Sequence, residues 1–249
     1  MFMNDKKPRL PIGGSDFKQI RENNARYVDK TSLVRGVLDA EAAVLLFPRP
    51  RRFGKTMNLS MLRYFFERTE PSNQHLFEGL KISQDTKAMA HQGQYPVIYL
   101  TFKDVKVDNW DACLEKIRSE LADLYRYHQA LLNHHHLSGP EQAIYQSILE
   151  EKGTQPQYEK SLKFLMALLS QVHQKKVVVL IDEYDSPIHA AYHHGYFDPL
   201  IGFMRNFLSA AFKDNSNLYK GVITGILRVA KESIFSGLNN LSVYTLLDP

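Results

Sequence analysis

The sequence predicts an α/β fold in which a mostly parallel sheet is flanked by helices. Three observations predict it. The apolar run at residues 43–47 leads into a turn ending Gly54-Lys55-Thr56, and residues 57–66 then follow with amphipathic, helical spacing. A second run, Val177-Val178-Val179-Leu180-Ile181, ends in the acid pair Asp182-Glu183. Five apolar residues in a row suit a strand buried on both faces of a parallel sheet. Further strand-like and helix-like segments alternate along the chain, which is the pattern of an α/β sheet.

In order, residues 10–17 are turn-rich and are expected to wrap the sheet edge. Arg26-Tyr27-Val28-Asp29-Lys30-Thr31 then leads to a helix-like stretch at residues 32–38 and into the first strand. After the amphipathic helix, a polar stretch at residues 68–74 leads to Leu76-Phe77-Glu78-Gly79-Leu80, and residues 96–102 read as a second strand. From residue 108 to 127 apolar residues recur at helical spacing (Trp110, Leu114, Ile117, Leu121, Leu124), as they do over 161–173. A polar, histidine-bearing connection with Gly139-Pro140 and Gly153 joins these two helical stretches. Residues from about 104 to 174 therefore read as a mainly helical insertion between the second strand and the acidic strand. Residues 221–225 are a further short strand, and neither repeats nor low-complexity tracts occur. The expected organisation is one domain over residues 1–249 with a large insertion.

Composition bounds the function. At 44% hydrophobic and 23% charged residues the chain has the make-up of a soluble globular protein. A net charge of +4 does not by itself argue for nucleic acid. The single cysteine, Cys113, excludes an internal disulfide and fits a reducing compartment. The first residues hold no apolar core of signal-peptide length, and no run approaches a membrane span. A cytoplasmic protein with no membrane association is expected.

The chemistry concentrates at two motifs. A strand, a turn ending Gly54-Lys55-Thr56 and a helix form the context of a phosphate-binding loop. Backbone N–H groups at such a turn and helix N-terminus attract phosphate oxygens, Lys55 adds a charge near the β/γ-phosphates, and the Thr56 hydroxyl can ligate Mg²⁺. The glycine that the general pattern places five positions before Gly54 is here Arg49. Asp182, at the end of its strand, is placed to hold Mg²⁺ through water, and Glu183 to orient or deprotonate an attacking water. Two acids can also simply end a strand at the surface. Against that, both motifs fall at the carboxyl ends of strands, where ligands bind in open α/β sheets. ATP and Mg²⁺ are the expected ligands.

The combined wording is more specific. Tyr27-Val28-Asp29-Lys30-Thr31, Arg49-Pro50-Arg51-Arg52-Phe53-Gly54-Lys55-Thr56, Asp182-Glu183-Tyr184-Asp185, Thr224-Gly225-Ile226-Leu227-Arg228 and residues 233–241 stand in that order. Together they resemble the bacterial AAA-ATPase-like family, whose loop reads Arg-Pro-Arg-Arg-Phe-Gly-Lys-Ser/Thr, and the resemblance covers residues 10 to about 241. It implies a P-loop NTPase core in which residues 221–224 form a strand between the loop strand and the acidic strand. Thr224 then becomes a polar sensor near the γ-phosphate. By the same resemblance Arg51, Arg52, Phe53, Gly54, Lys55, Thr56 and Met57 form the nucleotide loop. Tyr27 and Asp29 would lie near the adenine, and Arg228 would approach the γ-phosphate from its own or a neighbouring subunit. Members often continue into a C-terminal nuclease-like domain, which this chain is expected to lack.

Other candidates read more plainly. His134-His135-His136 sit in a polar connection without acidic or cysteine ligands at useful spacing, and a solvated loop is the better reading. His189 and His193 are four apart, but Ala190 stands where a zinc protease has its glutamate. Asp185-Ser186-Pro187 reads as a helix N-cap followed by proline in the first turn. For Arg51 and Arg52 the sequence leaves two readings open, phosphate contacts or a basic patch for a partner. Arg228 is equally readable as a helix-surface arginine. Three functions follow: a Mg²⁺-dependent ATPase, a weakly hydrolysing nucleotide sensor acting through a protein partner or a second copy, and the ATPase module of a nucleic-acid-processing system. The last rests on family analogy.

Overall fold

A computed structural model describes residues 13–133, 137–226, 234, 235, 238 and 240–245. The chain enters through α1 (Phe17–Glu22) and α2 (Ser32–Asp39), reaches β1 (Val44–Pro48), and turns into α3 (Lys55–Phe66). Two short 3₁₀ turns and α4 (Thr86–Met89) precede β2 (Val97–Thr101). Four helices then intervene: α5 (Trp110–Tyr127), α6 (Gly139–Leu149), α7 (Gln155–Glu159) and α8 (Ser161–His173). After β3 (Val177–Asp182) come α9 (Ser186–His194), α10 (Phe197–Phe212), β4 (Leu218–Gly225) and β5 (Leu241–Val243).

The five strands form one all-parallel sheet in the order β2-β3-β4-β1-β5. The strand expected at residues 221–224 does lie between the loop strand and the acidic strand, and it is longer, starting at Leu218. Alternation along each strand divides the core in two. Val177, Val179, Ile181, Leu46 and Ile223 face the cluster built with α5, α8, α9 and α10. Val178, Leu180, Leu45 and Val222 face the cluster built with α2 and α3. β3 is buried at every position, as its unbroken apolar run requires. Cys113 sits fully buried on α5 within the first cluster.

Two expectations need correcting. Of the turn-rich opening segment, Phe17 begins α1, which packs on α3, with its backbone N–H donated to the Ser60 hydroxyl at 2.9 Å. The helix after the phosphate loop begins at Lys55 rather than Met57, because Gly54 in the left-handed conformation (φ 74°) ends the turn one residue before it. Asp185 occupies the N-cap position of α9 with Pro187 in the first turn, yet its carboxylate makes no capping bond. It accepts the Ile226 N–H at 2.7 Å instead, and so ties the start of α9 to the end of β4. His134 to His136 and Arg228 lie outside the described residues.

Candidate functional site

Parallel register brings the carboxyl ends of the strands level. Phe47 pairs with Thr224, Pro48 with Gly225 and Thr101 with Asp182. The phosphate-loop motif and the acidic motif, 126 positions apart from Thr56 to Asp182 in sequence, thereby reach the same edge of the sheet.

The loop leaves β1 with Arg49 N–H bonded to the Gly225 carbonyl at 2.9 Å. Arg52 (φ 69°) and Gly54 (φ 74°) are both left-handed, which curls the loop back on itself. Left-handed backbone of this kind lets successive N–H groups converge on an anion. α3 then starts without a side-chain cap and without an acidic residue in its first turn, so its first N–H groups carry no competing carboxylate. Lys55 donates to the carbonyls of Arg49 (2.9 Å) and Pro50 (3.1 Å). Arg49, in the position of the usual first glycine, turns its guanidinium away and donates to the Tyr244 carbonyl at 2.7 Å. It fastens the loop to the segment after β5.

Opposite the loop, Asp182 and Thr224 are both buried, and the Thr224 hydroxyl donates to Asp182 Oδ1. The same oxygen accepts the Glu183 N–H at 3.0 Å. Glu183 itself is held in the left-handed region (φ 50°), a strained conformation for glutamate that costs about 1–3 kcal/mol and clusters at functional sites. Its Oε2 accepts the Ser186 hydroxyl at 3.0 Å. A cleft of about 1130 Å³ runs between Glu183 and the loop, and Arg51, Arg52, Gly54, Lys55, Thr56 and Met57 line it. Phe53 is half exposed and lines a smaller hollow on the far side of Lys55, beside Thr224.

Tyr27 and Asp29 do not line either cavity. Tyr27 packs edge-on against Phe17, and burial pushes its phenol above the ordinary range. Asp29 accepts hydrogen bonds from Thr31 N–H (2.9 Å), the Thr31 hydroxyl (2.6 Å) and Lys81 N–H (2.7 Å). Burial alone would raise its carboxyl, but the Thr31 and Lys81 bonds outweigh that and hold it low. The turn pinned in this way delivers Lys30, a residue that sequence reasoning left out of the site. A methyl group added at Gly54 would stand 3.6 Å from Lys30 Nζ, and Lys30 lines the hollow with Lys55 and Thr224. Its place in the Tyr27-to-Thr31 motif was the available signal.

Among the described residues no three His, Cys, Asp or Glu side chains converge to hold a metal unaided. An Mg²⁺ bound through one or two carboxylates, substrate phosphates and water needs no such cluster. Thr56 lines the cleft from the first turn of α3, whereas Asp182 is buried, lines neither cavity and has one oxygen, Oδ1, taken by Thr224 and Glu183, which leaves its other oxygen for such an ion.

Comparison with known proteins accords with this geometry. The family model described as Predicted AAA-ATPase matches residues 11–235. The chain belongs to that family. A relative from Azotobacter chroococcum mcd 1, described as an uncharacterized protein in the vnfD 5' region, is 29% identical over 244 residues. The match covers 94% of this chain and 40% of that relative, so the chain spans less than half of the relative's length. No solved structure matches the chain. Membership supports an ATPase-like function at the level of the AAA-ATPase-like family. No helix among the described residues is long and apolar enough to cross a membrane.

Proposed function

We propose that the chain binds ATP with Mg²⁺ and hydrolyses it. The observation that carries this reading is the cleft, with Gly54-Lys55-Thr56 on one bank and a conformationally strained Glu183 on the other. Lys55 would exchange two loop carbonyls for β/γ-phosphate oxygens, with the amides of the loop and of the first turn of α3 around the same oxygens. Thr56 and Asp182 would hold Mg²⁺, whose chemistry there is to neutralise charge on the phosphate oxygens. Thr224 fixes the Asp182 carboxylate, and Glu183, steadied by Ser186, would orient the attacking water and take its proton. Arg51, Arg52, Phe53 and Met57 complete the nucleotide loop in this proposal, with Tyr27 and Asp29 toward the base. Arg228 acts as the arginine at the γ-phosphate, within its own subunit or across a homo-oligomeric boundary.

One observation favours a second reading, an ATP-binding switch that hydrolyses poorly and acts through a protein partner. Arg49 replaces a flexible glycine and fastens the loop to Tyr244, which stiffens the segment that must adjust during turnover. Mutant titrations separate the two. Lys55→Ala is expected to remove most ATP affinity by calorimetry. Glu183→Gln is expected to keep ATP bound while slowing hydrolysis by about 10²–10⁴-fold, the range for loss of a general base. A folded Lys55→Ala protein with unchanged affinity would reject ATP binding at the loop. Wild-type turnover no faster than that of Glu183→Gln would leave the switch as the function.

A further inference from the structure

The residue that departs from the general loop pattern holds the loop at three points. Arg49 donates its backbone N–H to the Gly225 carbonyl at the end of β4 (2.9 Å) and its guanidinium to the Tyr244 carbonyl (2.7 Å). Its own carbonyl accepts the Lys55 ammonium at 2.9 Å. The backbone does not require glycine here, because the left-handed positions of the loop are Arg52 and Gly54, and Arg49 is not among them. The position can therefore carry a long side chain. A guanidinium on a carbonyl is a charge-assisted hydrogen bond, roughly twice as strong as a neutral one.

Tyr244 itself lines neither cavity. It follows β5 directly, its ring stacks on Phe47 of β1 with centroids 5.4 Å apart and planes at 22°, and its N–H donates to the Leu46 carbonyl at 2.9 Å. Phe47, Arg49 and Lys55 in turn wall the hollow behind the loop. Phe47 and Arg49 thus touch Tyr244 on one side and the hollow beside Lys55 on the other. β5 is only three residues long and lies at the edge of the sheet, paired with β1 alone among the described residues. Short edge segments of this kind belong to the low-stability end of a fold and open locally without global unfolding.

We infer that Arg49 is a positioning residue that couples nucleotide binding on the loop to docking of Tyr244 against β1. This regulation rests on the ATP reading and acts on the same site. With Tyr244 docked, the Arg49 side chain and N–H hold the root of the loop between β4 and the exit of β5, and the Arg49 carbonyl holds Lys55 in place. With Tyr244 undocked, the guanidinium loses its acceptor and the root loosens. Part of the binding free energy then goes into ordering it again. Linkage makes the effect reciprocal. The factor by which docking raises affinity is the factor by which bound nucleotide favours docking, about 5- to 150-fold for coupled sites. Whatever pulls Tyr244 away from Phe47 would therefore release nucleotide, and a loaded loop would resist that pull.

The test joins a double-mutant cycle to hydrogen exchange. Calorimetry with ATP and Mg²⁺ gives the affinity of the wild type, Arg49→Ala, Tyr244→Ala and the double variant. Each single change should weaken binding by about 5-fold or more, the low end of that range. Tyr244→Ala leaves every charge in place, so its loss is not electrostatic. The double variant should bind within about twofold of the weaker single variant, because both changes break one connection. Tyr244→Phe, which keeps the ring on Phe47, should restore the affinity. Exchange over residues 241–245 adds a readout that simple loosening of the sheet edge would not move. In the wild type the Tyr244 N–H, bonded to Leu46, should exchange about 5-fold or more slowly with saturating ATP than without it. In Arg49→Ala the two rates should be equal. Circular dichroism checks each fold, and Arg49→Met, which keeps the stem without the donors, replaces Arg49→Ala if that protein does not fold. Wild-type affinity in either single variant, additive losses in the double variant, or an ATP effect on exchange that survives in Arg49→Ala would overturn the coupling and leave ATP binding intact. A wild type that binds no ATP would reject the ATP reading itself, and the coupling with it.

Discussion

Asp182 illustrates how closely a functional carboxylate depends on its neighbours. It is buried, and the hydroxyl of Thr224 and the N–H of Glu183 converge on one of its oxygens. Replacing Thr224 by Val keeps the shape and removes the donor, so the fold should lose about 1–3 kcal/mol, the cost of leaving a buried polar group short of a partner. Urea unfolding measures this, and Thr224→Ser should recover most of it. A Thr224→Val protein as stable as the wild type would mean that the hydroxyl contributes nothing to holding the carboxylate. Lys30 belongs to the same scale. If the ATP reading holds, Lys30→Ala should weaken ATP binding measurably, and by less than Lys55→Ala. At this scale the sequence was legible wherever chemistry sits in contiguous residues. Lys55 and Thr56 were read from one loop, and Asp182 and Glu183 from one strand end. Lys30 was not, because its approach to Gly54 depends on a turn that Asp29 pins to Lys81, 52 positions away. The carboxylate of Asp185 escaped for a related reason. Its position in the chain fits a cap, but the donor it satisfies belongs to Ile226.

Among the elements, the end of β4 is the tightest joint. A Cβ at Gly225 would stand 2.6 Å from Asp185 Oδ1 and 2.6 Å from Tyr184 Cε1, and both neighbours are buried. Neither can move without disturbing the junction between β3 and α9 that presents Glu183. Gly225→Ala is therefore expected to cost about 1–3 kcal/mol, the range for overpacking a filled site, measured as a lowered urea midpoint. An unchanged midpoint would show that the junction yields freely. Long elements were readable from their periodicity, α5 and α8 almost to the residue. β5, with three residues, is too short for any period to register, and its pairing with β1 is supplied by the sheet. The first three residues of β4, Leu218-Tyr219-Lys220, were missed because Lys220 breaks the apolar run. It is buried all the same, and donates its ammonium protons to the carbonyls of Ala40 and Ala42.

For the whole molecule, His128 at the end of α5 sets a limit on acid stability. Burial, with His173 and Arg63 close by, pushes its imidazolium down from 6.5 to about 4. The unfolded chain therefore takes up a proton below pH 6.5 that the folded protein refuses until about pH 4. Stability contributed by the neutral ring is complete above pH 6.5 and drains away as the pH falls through that window, by up to about 3 kcal/mol. Since carboxylates titrate over the same range, the measurement is a comparison of urea unfolding at about pH 7 and about pH 4.5. The wild type should lose more stability than His128→Phe, and equal losses would remove His128 from the account. The cysteine of α5 has a more practical consequence. Cys113 is the only cysteine in the sequence, it is fully buried, and burial pushes its thiol up to about 11. At neutral pH it has neither the exposure nor the thiolate needed to react with a maleimide. These 249 residues are thus already a silent background for site-specific labelling. A single cysteine placed at Lys103, on the cleft, would take a spin label or fluorophore alone, and would report directly when a ligand enters the cleft.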